Sequence, residues 1–312
     1  MNRLWRAVDA GWGIFNLPGL FYTCGMMTPQ ATSPNAPAVT DAPPPTTRIV
    51  AIETSGRIGS VAVACGPTLL AQRVFREPMG HAAELMPAMS DLCHQQGWSG
   101  RDIQAVFISI GPGSFTGLRI AVSVAKALHL ATGCRIVAVP TVDVLAYNAH
   151  SLGLHVMVLL DAKRGMVYAA RYAPVTLCPG DLAPGRVAVG NLIRTSGPEL
   201  ADPAAYVAQS PRPLGLLGEG IDYHRPAINP LLANDVVEFD RTLWPGSAAA
   251  VHALGWPLAQ RGQYALPTAL TPIYIRPPEA QEVWERRHAA AITTTSTDGA
   301  MAAPNPKADP TQ

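Results

Sequence analysis

Residues 105–134, AVFISIGPGSFTGLRIAVSVAKALHLATGC, constrain this chain more than any other stretch. Ala105 to Ile110 is a short apolar run rich in branched residues, the pattern of a strand buried in a parallel sheet. Gly111-Pro112-Gly113 breaks the run. Ser114 and Thr116 then offer capping hydroxyls and Gly133 a stop, so the spacing predicts a long helix between them. Leu118, Ala121, Val122, Ala125 and Leu128 fall on one face of that helix, and Ile120, Val124, Ala127 and Ala131 on another. Only Arg119, Ser123 and Lys126 make a polar stripe. A helix apolar on nearly all sides must be covered on nearly all sides. One side can lie on its own sheet. The other needs a second layer, supplied either by the rest of one large domain or by another chain. Gly117, Ala121 and Ala125, every fourth residue, would admit a close neighbour.

Glycines after a strand and before a helix also suit a dinucleotide pyrophosphate, because they let backbone amides approach it. Pro112 removes one such amide, and the acidic residue needed about 20 positions on is missing, since Asp143 comes too late. Leu118-Arg119 stand where a Walker loop needs Lys then Ser or Thr. A tight turn with close strand–helix packing is the better reading.

The 312 residues are 48% hydrophobic and 14% charged, enough to build a sizeable core, and the net charge of +1 gives no global field for nucleic acid. Cys24, Cys65, Cys93, Cys134 and Cys178 are odd in number and form no C-x-x-C pair. That usage points to a reducing, cytoplasmic setting and away from a zinc site or disulfide framework. Residues 1–47 and 289–312 are Pro-, Thr- and Ala-rich and are expected to be disordered tails. Arg3 and Arg6 precede an apolar stretch, Trp12 to Tyr22, that is interrupted by Asn16 and Pro18 and is too short to span a bilayer; Met26 and Met27 are alternative starts.

Between the tails, Ile49–Ile52, Ser60–Cys65 and Leu69–Phe75 read as a three-strand antiparallel meander. A helix carrying Leu85, Met86, Met89, Leu92 and Cys93 follows, with Pro87 either in its first turn or kinking it, and His81 ahead of it as a cap or a packed side chain. The central strand and helix come next, then a strand at Arg135–Val139 and a helix over 142–151 capped by Thr141. The order is βββαβαβα. A second unit opens alike, with Val156–Leu160, an acidic turn at Asp161 and a return over Met166–Tyr172. Pro174 to Pro213 carries no assignable pattern, Leu214–Leu217 is a buried strand, and 247–260 a helix. A worn internal duplication follows, with lobes over 48–152 and 153–288.

A doubled βββαβαβα unit resembles the two-lobed actin-like ATPase fold, itself ribonuclease H-like, in which one acidic turn per lobe holds magnesium and phosphate. Glu53, Thr54 and Ser55 would form one turn and Asp161 would open the other, as vestiges of a nucleotide site. More specifically, IVAIETS, GSVAVA, HAAELMP, ISIGPGSFTGLRIAVSVAKAL, DAKRGMVYAARY and PIYIR occur in order, and together they resemble the TsaB (YeaZ) family. The resemblance spans residues 48–276. It implies a dimerisation subunit, not itself a catalyst, of the complex that places a threonylcarbamoyl group on N6 of adenosine 37 in tRNAs reading codons that begin with A. It implies pairing with a TsaD-type catalytic paralogue, binding of a TsaE-type small ATPase, and a homodimer when alone. ATP and a metal ion would belong to those partners, and tRNA would be met through the complex. The family contact uses two N-lobe helices, which here would present Leu85, Met86, Met89, Leu92, Leu118, Ala121, Val122 and Ala125.

The residues themselves offer no catalytic set. None of the eight histidines stand at i, i+4, and no H-E-x-x-H occurs, which excludes the metalloprotease suggested by older naming of this superfamily. The rival reading is an independent actin-like ATPase or small-molecule kinase. Glu53 in place of Asp, and glycines split as Gly218-Glu219-Gly220, weaken it.

Overall fold

The branched runs over 49–52, 61–64 and 105–108 are buried on both faces and form strands, whereas 68–74 pairs along an exposed sheet edge. In the computed structural model, which describes residues 42–175 and 187–276, β1 (Arg48–Glu53), β2 (Ser60–Cys65) and β3 (Thr68–Val74) form the expected meander. Helix α1 (His81–Gln95), β4 (Ala105–Ser109), α2 (Phe115–Thr132), β5 (Arg135–Val139) and α3 (Thr141–Tyr147) follow. The sheet order is β3-β2-β1-β4-β5, with β1, β4 and β5 parallel.

The second half contains β6 (His155–Asp161), β7 (Val167–Pro174), β8 (Ala188–Val189), β9 (Leu192–Ala201), α4 (Pro203–Ala208), β10 (Leu214–Leu217), α5 (Gly220–Tyr223), α6 (Arg225–Ile228), β11 (Val236–Glu238) and α7 (Ala248–Gln260). Its sheet order is β11-β10-β6-β7-β9-β8. Read outward from β6, the antiparallel run β6-β7-β9 and the parallel run β6-β10-β11 repeat β1-β2-β3 and β1-β4-β5. The doubled actin-like unit is therefore present, with β8 as a short addition. The segment from Pro174 to Pro213, which carries no assignable pattern, supplies β8, β9 and α4. Residues 1–41, 176–186 and 277–312, and with them Cys24, Cys178, His288 and most of both expected tails, lie outside the described residues.

Strand alternation splits the first sheet into two cores. Val50, Ile52, Val61, Val63, Val106, Ile108 and Ile136 face α1 and α2. Ile49, Ala51, Ala62, Phe107 and Val137 face the other way, into a core shared with α3, α7 and the second sheet. Two helices thus cross the expected boundary near residue 152. The first lobe's last helix, α3, packs on β6, β7 and β9, and α7 returns to cover β1, β2, β4 and β5. The reason is burial: Thr141 to Ala146 are all buried, so α3 needs cover on every side.

Ser114 caps α2, its hydroxyl accepting from the Gly117 N–H at 3.3 Å, and Gly133 closes it at φ 73° with its N–H on the His129 carbonyl. Thr141 corrects an expectation: it is the first residue of α3 rather than its cap, its hydroxyl accepts from the Gly111 N–H at 3.0 Å, and the helix ends at Tyr147. Pro87 sits inside α1 on its exposed side. Among the described residues no helix is long and apolar enough to cross a membrane.

Candidate docking face and inter-lobe turns

Seven of the eight residues expected at a partner surface lie inside the chain's own core. Leu85, Met89 and Leu92 are buried on the sheet side of α1, as are Leu118, Ala121, Val122 and Ala125 on α2; only Met86, 49% exposed, faces out. The physical reason is geometric. The α2 face that carries Gly117, Leu118, Ala121, Val122 and Ala125 packs on β4, on the single turn Gly100–Asp102 and on α1. Fully burying a Leu of this kind stabilises by about 1.5–3 kcal/mol, which the fold takes for itself.

The surplus apolar surface exists on the opposite side. On α2, Thr116, Ser123, Ala127 and Ala131 are exposed and Ile120 and Val124 half-buried, with Phe115 40% and Leu130 85% exposed. On the adjoining α1, Ala82, Ala83, Met86, Pro87 and Ser90 are exposed. The charges of α2 are Arg119, which is exposed, and Lys126, which is half-buried, and on α1 Asp91 is held by Arg73 at 2.7 Å. Two neighbouring helices therefore show one continuous, small, weakly charged surface.

An aromatic cluster that sequence reasoning missed closes one end of this face. Arg119 lies 3.8 Å above the Phe115 ring, its Nε donates to the Tyr274 hydroxyl at 3.1 Å, and the Phe115 and Tyr274 rings are 5.3 Å apart. The PIYIR segment continues from there to Arg276, whose guanidinium donates to the Ala162 carbonyl at 2.8 Å. The motif was visible; its pairing with residues some 150 positions earlier had no local signal.

The two acidic turns differ in their partners, although both carboxyls are largely buried. Glu53 is fully buried. The Ser55 N–H donates to Glu53 Oε1 at 2.6 Å and the Ser55 hydroxyl donates to the same oxygen, while Oε2 and the Ser109 hydroxyl have no partner. Gly246, just before α7, lies so close that a Cβ there would meet the Glu53 carboxyl carbon at 3.0 Å. Burial raises the Glu53 pKa above the usual carboxylate range, against the hydrogen bonds from Ser55. Thr54 is turned inward as well, its hydroxyl donating to the Gly117 carbonyl at 2.7 Å. In this geometry the first turn offers no carboxylate oxygen to a ligand arriving from solvent.

Asp161 lies near its own charges. Lys163 Nζ donates to it at 2.6 Å, and His224 Nε2 lies 3.4 Å away. Burial works to raise the Asp161 pKa, but the Lys163 hydrogen bonds and charge outweigh it and hold the carboxyl below its ordinary value. Glu219 nearby is pushed up, first by burial and then by the Asp161 charge. His81 is packed rather than free: it is buried against Phe75, with Nε2 3.0 Å from the Gly56 carbonyl. Among the described residues no three His, Cys, Asp or Glu side chains are grouped so that they could hold a metal.

A family model described as TsaD, tRNA N6-adenosine threonylcarbamoyltransferase, matches residues 78–185. The tRNA threonylcarbamoyladenosine biosynthesis protein TsaB of Bacillus subtilis is 27% identical over 239 residues, 76% of this chain and 97% of that protein. The Escherichia coli protein of the same name is 34% identical over 127 residues, 40% of this chain and 54% of its own length. The solved structure of YeaZ from Pseudomonas aeruginosa superposes with a TM-score of 0.58 at 24% identity, covering 73% of this chain and 99% of that one.

Proposed function

Since the chain belongs to the TsaB (YeaZ) family, we propose that it serves tRNA threonylcarbamoyladenosine biosynthesis as a non-catalytic subunit that docks a TsaD-type paralogue. The observation that carries this reading is the outward face of α1 and α2: Met86, Ile120, Val124 and Ala127 on a surface of small residues, with Arg119 the exposed charge of α2. A partner presenting two similar helices would complete a four-helix layer. An interface of standard size buries about 800 Å² per partner, which two helices of 15 and 18 residues can supply.

In this role the chain brings no cofactor. ATP and a metal ion belong to the partner subunits, the modified atom is N6 of adenosine 37, and tRNA is met through the complex. A TsaE-type ATPase binds the assembled pair, and the same face makes a homodimer when the paralogue is absent. The setting is cytoplasmic. The buried Glu53 carboxyl supports a support role over independent phosphoryl transfer.

The test is co-purification with the TsaD-type and TsaE-type proteins, followed by a threonylcarbamoyl-transfer assay with each component omitted in turn. The reading requires a stable complex and loss of transfer when this chain is left out. Full transfer in its absence, or transfer by this chain alone, would overturn it.

A further inference from the structure

The second sheet carries a cavity that the docking role does not use. It has a volume of about 260 Å³, below the ~300–1,000 Å³ of drug-sized sites, so it suits a metabolite smaller than a nucleotide. His155 of β6, Arg171 of β7, Thr195 and Ser196 of β9, and Ser210 after α4 line it, with Val156 and Leu214 as apolar wall.

The polar lining can be counted proton by proton. The Arg171 guanidinium lies 4.0 Å above the Tyr206 ring and also reaches its hydroxyl, while its Nε is buried with no hydrogen-bond partner. Among the described residues it forms no ion pair; Glu199, the carboxylate of this network, instead accepts from the Tyr206 hydroxyl at 2.7 Å. Tyr206 gives its one proton to Glu199, so the 2.8 Å contact between Ser196 and Tyr206 must use the Ser196 proton. Thr195 has likewise donated to the Arg171 carbonyl at 3.1 Å, and Ser210 to the Tyr206 carbonyl at 2.7 Å. All three hydroxyls have spent their protons, and what they retain is lone pairs.

One cationic fork beside three acceptor oxygens fits a ligand with an anionic head and an adjacent group rich in protons. We propose that this cavity binds a small free α-amino acid, with its carboxylate on Arg171, its ammonium on the Thr195, Ser196 and Ser210 oxygens, and a short side chain against Val156 and Leu214. Arg suits the head because its planar donors match a carboxylate two at a time. A simple anion such as phosphate would meet the same guanidinium but bring no cationic group to the three hydroxyl oxygens.

The experiment is ligand-observed NMR on the full chain with glycine, L-serine, L-threonine, L-phenylalanine, propionate and inorganic phosphate. Binding of the small amino acids, weaker binding of propionate and phosphate, and none of L-phenylalanine is the expected pattern. Arg171→Leu should weaken amino-acid binding at least about tenfold, as expected for loss of a charged hydrogen bond. Ser196→Ala should weaken amino acids more than propionate. Circular dichroism melting of both variants checks that the fold is retained, and Arg171→Lys, which keeps the charge, should restore part of the binding if Arg171→Leu unfolds the sheet. Equal binding of phosphate and amino acids, no binding of any amino acid by the folded wild type, or binding unchanged in folded Arg171→Leu would overturn the assignment.

Discussion

Thr54 and Gly117 hold each other from both sides: the Thr54 hydroxyl donates to the Gly117 carbonyl at 2.7 Å, and the Gly117 α-carbon lies so near that a Cβ would sit 1.9 Å from the Thr54 carbonyl oxygen. This contact fastens the β1–β2 turn to the first turn of α2. The obstacle is backbone, which cannot swing aside as a side chain does.

Gly117→Ala is therefore expected to destabilise the protein by about 3 kcal/mol or more, the upper range for overpacking, even though alanine is the better helix former. Urea denaturation followed by circular dichroism measures it. A variant as stable as wild type would mean that the turn and helix separate readily.

A second prediction concerns Asp143, buried on α3. It accepts from the Tyr172 hydroxyl at 2.8 Å and from Arg194 Nη1 at 3.1 Å on each oxygen, joining the helix to β7 and β9. Burial raises its pKa and the Arg194 charge and Tyr172 hydroxyl oppose that rise. Asp143→Ala leaves a mostly buried guanidinium and a fully buried phenol without their acceptor, so it should cost about 3 kcal/mol. The double variant Asp143→Ala with Arg194→Leu should recover part of that loss, as a thermal-melt cycle would register.

Glu53 gives a prediction with a pH signature. Its folded pKa is raised, so the folded state prefers the neutral acid, and its contribution is fully present below the unfolded value and lost as pH rises through the folded one. Glu53→Gln keeps an acceptor for Ser55 and places a donor where Oε2 has no partner. The variant should match wild type near pH 4 and become progressively more stable above it, by up to ~1.4 kcal/mol per pH unit until the folded pKa is passed. Transfer activity of the assembled complex should be unchanged. Equal stability of the two proteins from pH 4 to 8 would contradict a neutral buried acid.

How far the sequence could lead is clearest on α2. Period and caps located it, since Ser114 and Gly133 act through local geometry. The two apolar faces were legible too, as Leu118–Ala121–Val122–Ala125 and Ile120–Val124–Ala127–Ala131. Which face meets the sheet was not, because both are apolar and the choice depends on packing against Val106, Ile108 and α1. The small-residue repeat pointed to a partner helix, whereas Gly117 is small because Thr54 lies against it. Long-range pairs such as Arg119 with Tyr274, and the return of α7 across the first sheet, leave no periodicity to read. The motif segments fixed the family, but not the orientation of its helices.

That distinction yields the last prediction. Met86 and Ile120 stand on the outward face of α1 and α2, while Ala125 is fully buried beneath them. Met86→Glu should leave the isolated chain folded, since surface changes usually move stability by no more than about 0.5 kcal/mol, whereas Ile120→Glu, at a half-buried position packed against the core, should cost more and is read only where its melt shows a folded chain. Docked against a helical partner, either carboxylate would be buried without a counter-ion, at a cost of several kcal/mol, so co-elution with the TsaD-type protein should be lost. Ala125→Glu should lose co-elution as well, for a different reason: it buries a charge in the chain's own core and should lower the melting temperature before any partner is added. Gel filtration of the mixed proteins, beside a melt of each variant alone, separates the two cases. Normal complex formation by folded Met86→Glu and Ile120→Glu would remove this face from the interface.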